Sequence, residues 1–393
     1  MPGTGEPPLN PTGTPPMSSD SSRSARPSRR DVLQGAAALL STAALPALAA
    51  PTSNVADVYR RALVIDGLTN DSPQLKADEA IEAGMTAAIV DIQIYPRNFP
   101  NALQALAEWQ PVFRRPGGKM LPVLRAEDLR RAKAERKLGI ILACQDAQIL
   151  DAAMYSVSDQ NLDNLELFHA QGLRVLQLTH NDRNALGDSY REPGNAGLSV
   201  LGQHVVDRMN ELGMLVDLSH CGDRTTAEAI ERSKKPCAIT HAGCRAVYAT
   251  GRNKPDELLK ALAGKGGVFG VFNMSVWLTD KPTVGLEDLL THVDHAVKVA
   301  GVEHVGFGSD GYVVRTGEGD PQKEIAGFKR FVERNKGLPG SEQLPQHLHV
   351  AELNGPDRLL RLAEGLDRRG YKPADIEKIL GGNFARLLRD TLG

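Results

Sequence analysis

Past residue 60 the chain repeats one pattern. Short, unbroken apolar runs alternate with longer stretches in which apolar residues recur every three or four positions. The runs are Leu63–Asp66, Thr86–Ile92, Gly139–Cys144, Arg174–Thr179, Met214–Ser219, Cys237–Thr240, Gly267–Phe272 and His304–Gly308. None alternates apolar with polar, so each predicts a parallel strand buried on both faces. The longer stretches, such as Leu198–Leu212, Arg224–Lys234, Glu257–Ala263 and Leu286–Ala300, predict amphipathic helices. Gly172, Gly213 and Gly301 stand where those helices should stop. Eight strand–helix units predict a closed (β/α)8 TIM barrel. An open doubly wound sheet is the alternative, but no Gly-x-Gly-x-x-Gly follows the first strand to support its dinucleotide-binding form. Residues 314–345 read as a long loop, and Pro373–Leu392 as a closing helix.

The first fifty residues break the pattern. Residues 1–28 are rich in Pro, Gly, Ser and Thr and hold too little apolar surface to order themselves. Arg29-Arg30 then precede an Ala-rich apolar run from Ala36 to Leu48, which ends in Ala47-Leu48-Ala49. An arginine pair, a mild apolar stretch and a small-x-small site predict a twin-arginine signal peptide and a periplasmic mature protein. The expected organisation is therefore a leader over 1–50 and a single barrel over 51–393, with no membrane anchor in the mature chain.

Composition narrows the function. The chain has 393 residues, with 46 Lys+Arg against 48 Asp+Glu. That balance lacks the basic surplus of a nucleic-acid binder. Four cysteines at irregular spacing make neither a disulfide scaffold nor a Cys-rich zinc module.

In a barrel the chemistry sits at the carboxyl ends of the strands. There the sequence places Asp66, Asn70, Asp71, Asp91, Gln145, Asp146, His180, His220, His241, Asn273 and Asp310. Three strands end in Thr-His or Ser-His. Neutral imidazole is a ligand for zinc and related ions, and His220 and His241 come from adjacent strands. Asp310 is a third ligand or a proton-handling carboxylate. Asp146, Gln145 or water are further candidates to complete the metal's shell, and the thiols of Cys144 and Cys221 are weaker ones. Arg252 suits a carboxylate clamp. Of the other histidines, His169, His204, His292, His295, His347 and His349 read as solvated surface.

The block from Leu173 to Gly267 resembles the membrane dipeptidase family. The resemblance rests on Leu176, Leu178-Thr179-His180-Asn181, Asn184, Gly187-Asp188-Ser189, Met209-Asn210, Gly213-Met214, Val216-Asp217, Ser219-His220, Pro236, His241 and Arg252-Asn253, continued by Gly308-Ser309-Asp310. It implies an amidohydrolase-type barrel that hydrolyses dipeptides with two zinc ions. It implies that His220 and His241 hold one ion, that His180 stabilises the oxyanion, that Arg252 binds substrate, and that Asp310 exchanges protons with water and the leaving amine. The family's first strand ends Asp-Gly-His-x-Asp; here Leu68 and Asn70 stand at the ligand positions, and Gln145 replaces a bridging Glu. An amide cannot bridge two dications as a carboxylate does. The expectation is therefore one zinc per chain rather than two. The substrate would be a dipeptide or a related small amide, and homodimerisation is left open. A metal-free barrel that binds small molecules in the periplasm is the competing reading, and thiol chemistry at Cys144 or Cys221 a third.

Overall fold

The computed structural model describes residues 54–151, 159–313, 321–334, 342 and 344–393. The chain divides into Met1–Thr52 and Ser53–Gly393. The expected leader and twin-arginine segment lie outside the described residues. Among the described residues no helix is long and apolar enough to cross a membrane.

Among the described residues nine parallel strands follow in chain order: β1 Ile65–Thr69, β2 Ala87–Asp91, β3 Met120–Pro122, β4 Leu138–Cys144, β5 Leu173–Gln177, β6 Leu215–Asp217, β7 Ala238–Ala242, β8 Val268–Val271 and β9 Val305–Phe307. Eight of them form the path β1-β2-β4-β5-β6-β7-β8-β9, and β3 pairs with β4. The amphipathic helices follow as the periodicity predicts. One example is Val200–Leu212, opened by the Ser199 hydroxyl accepting from the Gly202 N–H (3.0 Å) and closed by Gly213 at φ 71°.

The barrel closes through the ends of its first and last strands. Thr69 bridges Gly311 in parallel register. The Asp310 N–H donates to the Leu68 carbonyl (3.0 Å), and the Asn70 N–H donates to the Gly311 carbonyl (2.6 Å). This is the predicted (β/α)8 barrel, with three differences. The expected closing helix over Pro373–Leu392 is broken into Pro373–Glu377 and Asn383–Leu392 by a kink at Gly381. The three-residue β3 was too short to register as an apolar run. Residues 321–334, expected as loop, form the helix Pro321–Arg334; its Gly- and Lys-rich flanks hide an amphipathic face.

Both faces of the strands are apolar, for different reasons. Ala88, Val90, Ile140, Leu142 and Leu176 pack outward under the helices. Ile65, Ala87, Ile89, Ile141, Ala143, Val175, Leu215 and Val268 fill the lumen, where they meet Phe384, Leu387 and Leu388 of the final helix Asn383–Leu392. The C-terminal helix thus plugs one end of the barrel. Gly67 and Gly306 make room for it: a Cβ would stand 2.5 Å and 2.7 Å from the Phe384 ring. Burying that ring contributes on the order of 2–3 kcal/mol.

A buried ionic knot secures the closing seam. Arg358 opens the helix Arg358–Arg368 and sets Nη1 3.5 Å from Asp66 Oδ2. Its Nη2 donates to the carbonyls of Tyr312 and of Val313 (2.9 Å). Asp66 Oδ1 accepts from the N–H of Ser309 (2.7 Å) and of Leu68 (3.3 Å). Asp71 Oδ2 accepts from the Val313 N–H (2.8 Å). Burial pushes the Asp71 carboxyl up to about 6, against the weaker pull of its hydrogen bonds and Arg358. A raised carboxyl binds its proton more tightly folded than unfolded. Its contribution is therefore present at pH 4 and is lost as pH rises through about 6. Asp71→Asn keeps an acceptor for Val313 without the charge. It should stabilise the protein by on the order of 2 kcal/mol above pH 7 and little at pH 4. Thermal melts across that range check this; equal shifts at both pH values would refute it.

Candidate metal centre

Three side chains converge at the open rim, where β6, β7 and β9 end. His220, His241 and Asp310 each offer a ligand atom, and these atoms lie within 4.8 Å of one another. His220 Nε2 and His241 Nε2 are 3.0 Å apart. His180 stacks on His220 with ring centroids 4.3 Å apart.

The outer nitrogens fix the tautomers. His220 Nδ1 lies 3.1 Å from the Asn181 side-chain oxygen, which only accepts, so Nδ1 carries the proton. His241 Nδ1 lies 2.8 Å from the Thr240 hydroxyl. That hydroxyl donates to Asp217 Oδ2 (2.7 Å), and the Ser219 hydroxyl donates to Asp217 Oδ1 (2.6 Å). Thr240 has one proton, and Asp217 takes it, so His241 Nδ1 must donate to the hydroxyl oxygen. Both Nε2 atoms are then bare lone pairs facing each other. Two lone pairs at 3.0 Å repel unless a proton or a cation lies between them. Burial, reinforced by the Arg252 charge, holds His220 and His241 well below the ordinary imidazole range and so disfavours the proton. The donor set fits a cation, and 3.0 Å is a separation that two zinc–nitrogen bonds of about 2.0–2.1 Å can span. Zinc sites routinely have such outer-shell partners orienting their imidazoles.

Asp310 adds the anionic oxygen. Its backbone sits at φ 54°, in the left-handed region, which the closing seam imposes through the Leu68 carbonyl. Burial pushes its carboxyl up to about 6, opposed chiefly by Arg252.

The other expected ligands do not join this cluster. Leu68 is buried in the lumen core. Asn70 Nδ2 donates to Asp310 Oδ1 (3.2 Å), and Gln145 Nε2 donates to Asn70 Oδ1 (3.3 Å). A chain of neutral amides therefore occupies the corner that first-strand and third-strand ligands would fill. Asp146 instead accepts from Asn184 Nδ2 (2.8 Å) and the Gln148 N–H (3.0 Å). All four cysteines are free and buried. Burial pushes the thiols of Cys144 and Cys221 up, which disfavours the thiolate that binds metal or attacks substrate.

Arg252 is fully buried, and two of its five N–H groups are tied to backbone carbonyls. Nη1 donates to the Ser219 carbonyl (2.8 Å) and Nη2 to the His241 carbonyl (2.9 Å), tying together the two strand ends that carry the histidines. Tyr190, Phe272 and Trp277 box it at 5.2–5.8 Å. Only Nε lacks a partner. Two histidines assigned to the surface are also placed differently. His292 is buried, with Nδ1 accepting from the Cys244 N–H (2.9 Å) and Nε2 donating to the Leu278 carbonyl (2.8 Å). His349 lies under the site, with Nε2 3.3 Å from the Asp310 carbonyl. Helical periodicity around residue 292 did signal an inward face; a loop position such as 349 carries no such signal.

The profile of the membrane dipeptidase family (peptidase family M19) matches residues 47–322. A dipeptidase of Claviceps purpurea, tcpJ, is 27% identical over 263 residues, which are 66% of this chain and 54% of that one. The dipeptidase aclJ of Aspergillus oryzae is 28% identical over 231 residues, 58% of this chain and 47% of that one. The chain spans about half the length of the curated relatives it matches. An amidohydrolase structure from Pseudomonas aeruginosa superposes with TM-score 0.72 at 25% identity, covering 86% of this chain and 99% of that one. The matched profile takes in β1 through β9 with all three converging side chains, and the chain belongs to the membrane dipeptidase family.

Proposed function

We propose that the chain hydrolyses dipeptides or related small amides with one zinc ion held by His220, His241 and Asp310. The observation that carries this reading is the pair of bare Nε2 lone pairs facing each other at 3.0 Å beside a half-buried carboxylate. The names of its relatives, dipeptidases, supply the substrate class. The amide chain Asn70–Gln145 supports one ion rather than two, since neutral oxygens offset little of a second dication's charge.

A zinc ion there supplies Lewis acidity and lowers the pKa of bound water to about 7. The protein's own groups do the rest. Asp310 takes a proton from the attacking water and delivers it to the leaving amine. His180, half-buried and held neutral chiefly by desolvation, keeps one N–H to donate to the developing oxyanion. Arg252 holds the ends of β6 and β7 at fixed spacing. Export through the twin-arginine segment would place this activity in the periplasm.

The test is metal analysis of purified protein together with a dipeptide panel. About one zinc per chain with turnover supports the reading; none, with no turnover after zinc is added, overturns it. The pH dependence is specific. The two ligand histidines stay neutral across the range, so the competing proton belongs to Asp310. Zinc affinity should fall about tenfold per pH unit below about 6 and level off above it. Competition with a chelator reads this slope, and a slope of two would mean a histidine also titrates.

A further inference from the structure

We infer that the Arg97 guanidinium stands in for a second metal ion: it fills the cation position between the ends of β2 and β4, so the site takes one zinc because its second cation is part of the chain. The inference deepens the one-ion reading above and rests on it for the zinc at His220 and His241.

Arg97 lies between β2 and the helix Phe99–Arg114, and its side chain is 7% exposed. The segment is tied down locally. Asn101 Nδ2 donates to the Pro96 carbonyl (2.9 Å), and the Asn98 side-chain oxygen caps the helix by accepting from the Asn101 N–H (3.0 Å). The guanidinium meets two buried carboxylates, one from each strand end. Nη2 lies 3.8 Å from Asp91 Oδ2, and Nη1 lies 3.9 Å from Asp146 Oδ2. The other oxygens are occupied. Asp91 Oδ1 accepts from the Gln145 N–H (3.0 Å), and Asp146 Oδ1 accepts from the Gln148 N–H (3.0 Å) and Asn184 Nδ2 (2.8 Å). Burial pushes both carboxyls up, and for Asp91 the Arg97 charge is the chief opposing influence. Buried carboxylates need a cation, and Arg97 is placed as one.

The rest of this corner offers a second dication nothing that outweighs the arginine. Leu68 is buried in the lumen core and has no donor atom. Gln145 is pinned three times: its N–H to Asp91, its carbonyl by Gln177 Nε2 (2.6 Å), and its Nε2 to Asn70 Oδ1 (3.3 Å). Two acceptors here have no partner, Gln145 Oε1 and Gln177 Oε1, and both are neutral amide oxygens. Arg97 Nε and Nη1 are buried without a hydrogen-bond partner. The guanidinium therefore presents N–H protons to the corner, and like charge repels a metal ion strongly where water is excluded. Arginine also keeps its charge at every pH the protein meets, so a fixed cation replaces an exchangeable one. The corner joins the zinc ligands through Gln145, Asn70 and Asp310.

The test counts zinc by atomic absorption after equilibrium dialysis of the full chain, with no substrate present. Arg97→Ala vacates the position and should bind one zinc more than wild type, with methylguanidinium displacing the added ion. Arg97→Lys keeps the charge and should match wild type. Adding Asn70→Asp and Gln145→Glu to Arg97→Ala should tighten the added ion by at least about tenfold. The same two substitutions with Arg97 intact should leave the wild-type count unchanged, and this variant reads the inference even if Arg97→Ala does not fold. An added zinc with Arg97 in place, or none in any folded variant lacking it, overturns the inference. Dipeptide turnover by wild type reads the hydrolytic proposal separately. A wild type that holds no zinc and turns nothing over defeats that proposal, while a methylguanidinium-sensitive ion gained in Arg97→Ala still supports this one. A hydrolysing one-zinc wild type whose Arg97→Ala variants gain no ion leaves the hydrolytic proposal standing and defeats this one.

Discussion

His220→Ala and His241→Ala should each abolish hydrolysis, by at least about a thousandfold, because each removes one of three ligands and the water activation that depends on the ion. Zinc content should fall in parallel. The outer partners predict a graded series below that limit. Asn181→Ala frees the Nδ1 proton of His220 and lets the ring choose the wrong tautomer. Thr240→Val does the same for His241 by removing the hydroxyl between it and Asp217. Each should weaken zinc affinity by about 10–100-fold without removing a ligand. A histidine-to-alanine variant that keeps stoichiometric zinc and full turnover would show that the ion binds elsewhere.

Arg358→Ala should destabilise the fold by about 3–5 kcal/mol, the range for breaking a buried ion pair from one side. It leaves Asp66 buried without its cation and the Tyr312 and Val313 carbonyls without a donor. Asp66 also accepts the Ser309 N–H directly before Asp310, so the damage should reach the site. Denaturant melts measure the first effect and zinc affinity the second. The double variant Arg358→Met with Asp66→Asn removes both charges and should recover part of the loss. If the single change costs less than about 1 kcal/mol, the level of an exposed pair, the knot does not hold the seam.

These expectations separate what local pattern encodes from what contacts distant in sequence decide. Unbroken apolar runs identified the main strands because a strand covered on both faces has no polar side to show. They missed β3, which is three residues long, and the helix at 321–334, whose flanks read as loop. Histidines at the ends of β6 and β7 were legible for the same local reason, since the strand end and the residue type appear together in the chain. So was the absence of ligands at Leu68, Asn70 and Gln145.

The tertiary structure decided the rest. Asp310 joins the histidines only because β1 and β9 meet across more than two hundred residues of chain and hydrogen-bond Leu68 to Asp310. The tautomers of His220 and His241 depend on Asn181, Thr240 and Asp217, which no spacing rule connects to a metal. Arg252 reads in sequence as a surface-reaching cation, and only the fold shows it buried with two N–H groups on the Ser219 and His241 carbonyls. Residue type and periodicity are properties of a segment. Protonation, orientation and free hydrogen-bonding capacity belong to the neighbours that folding supplies.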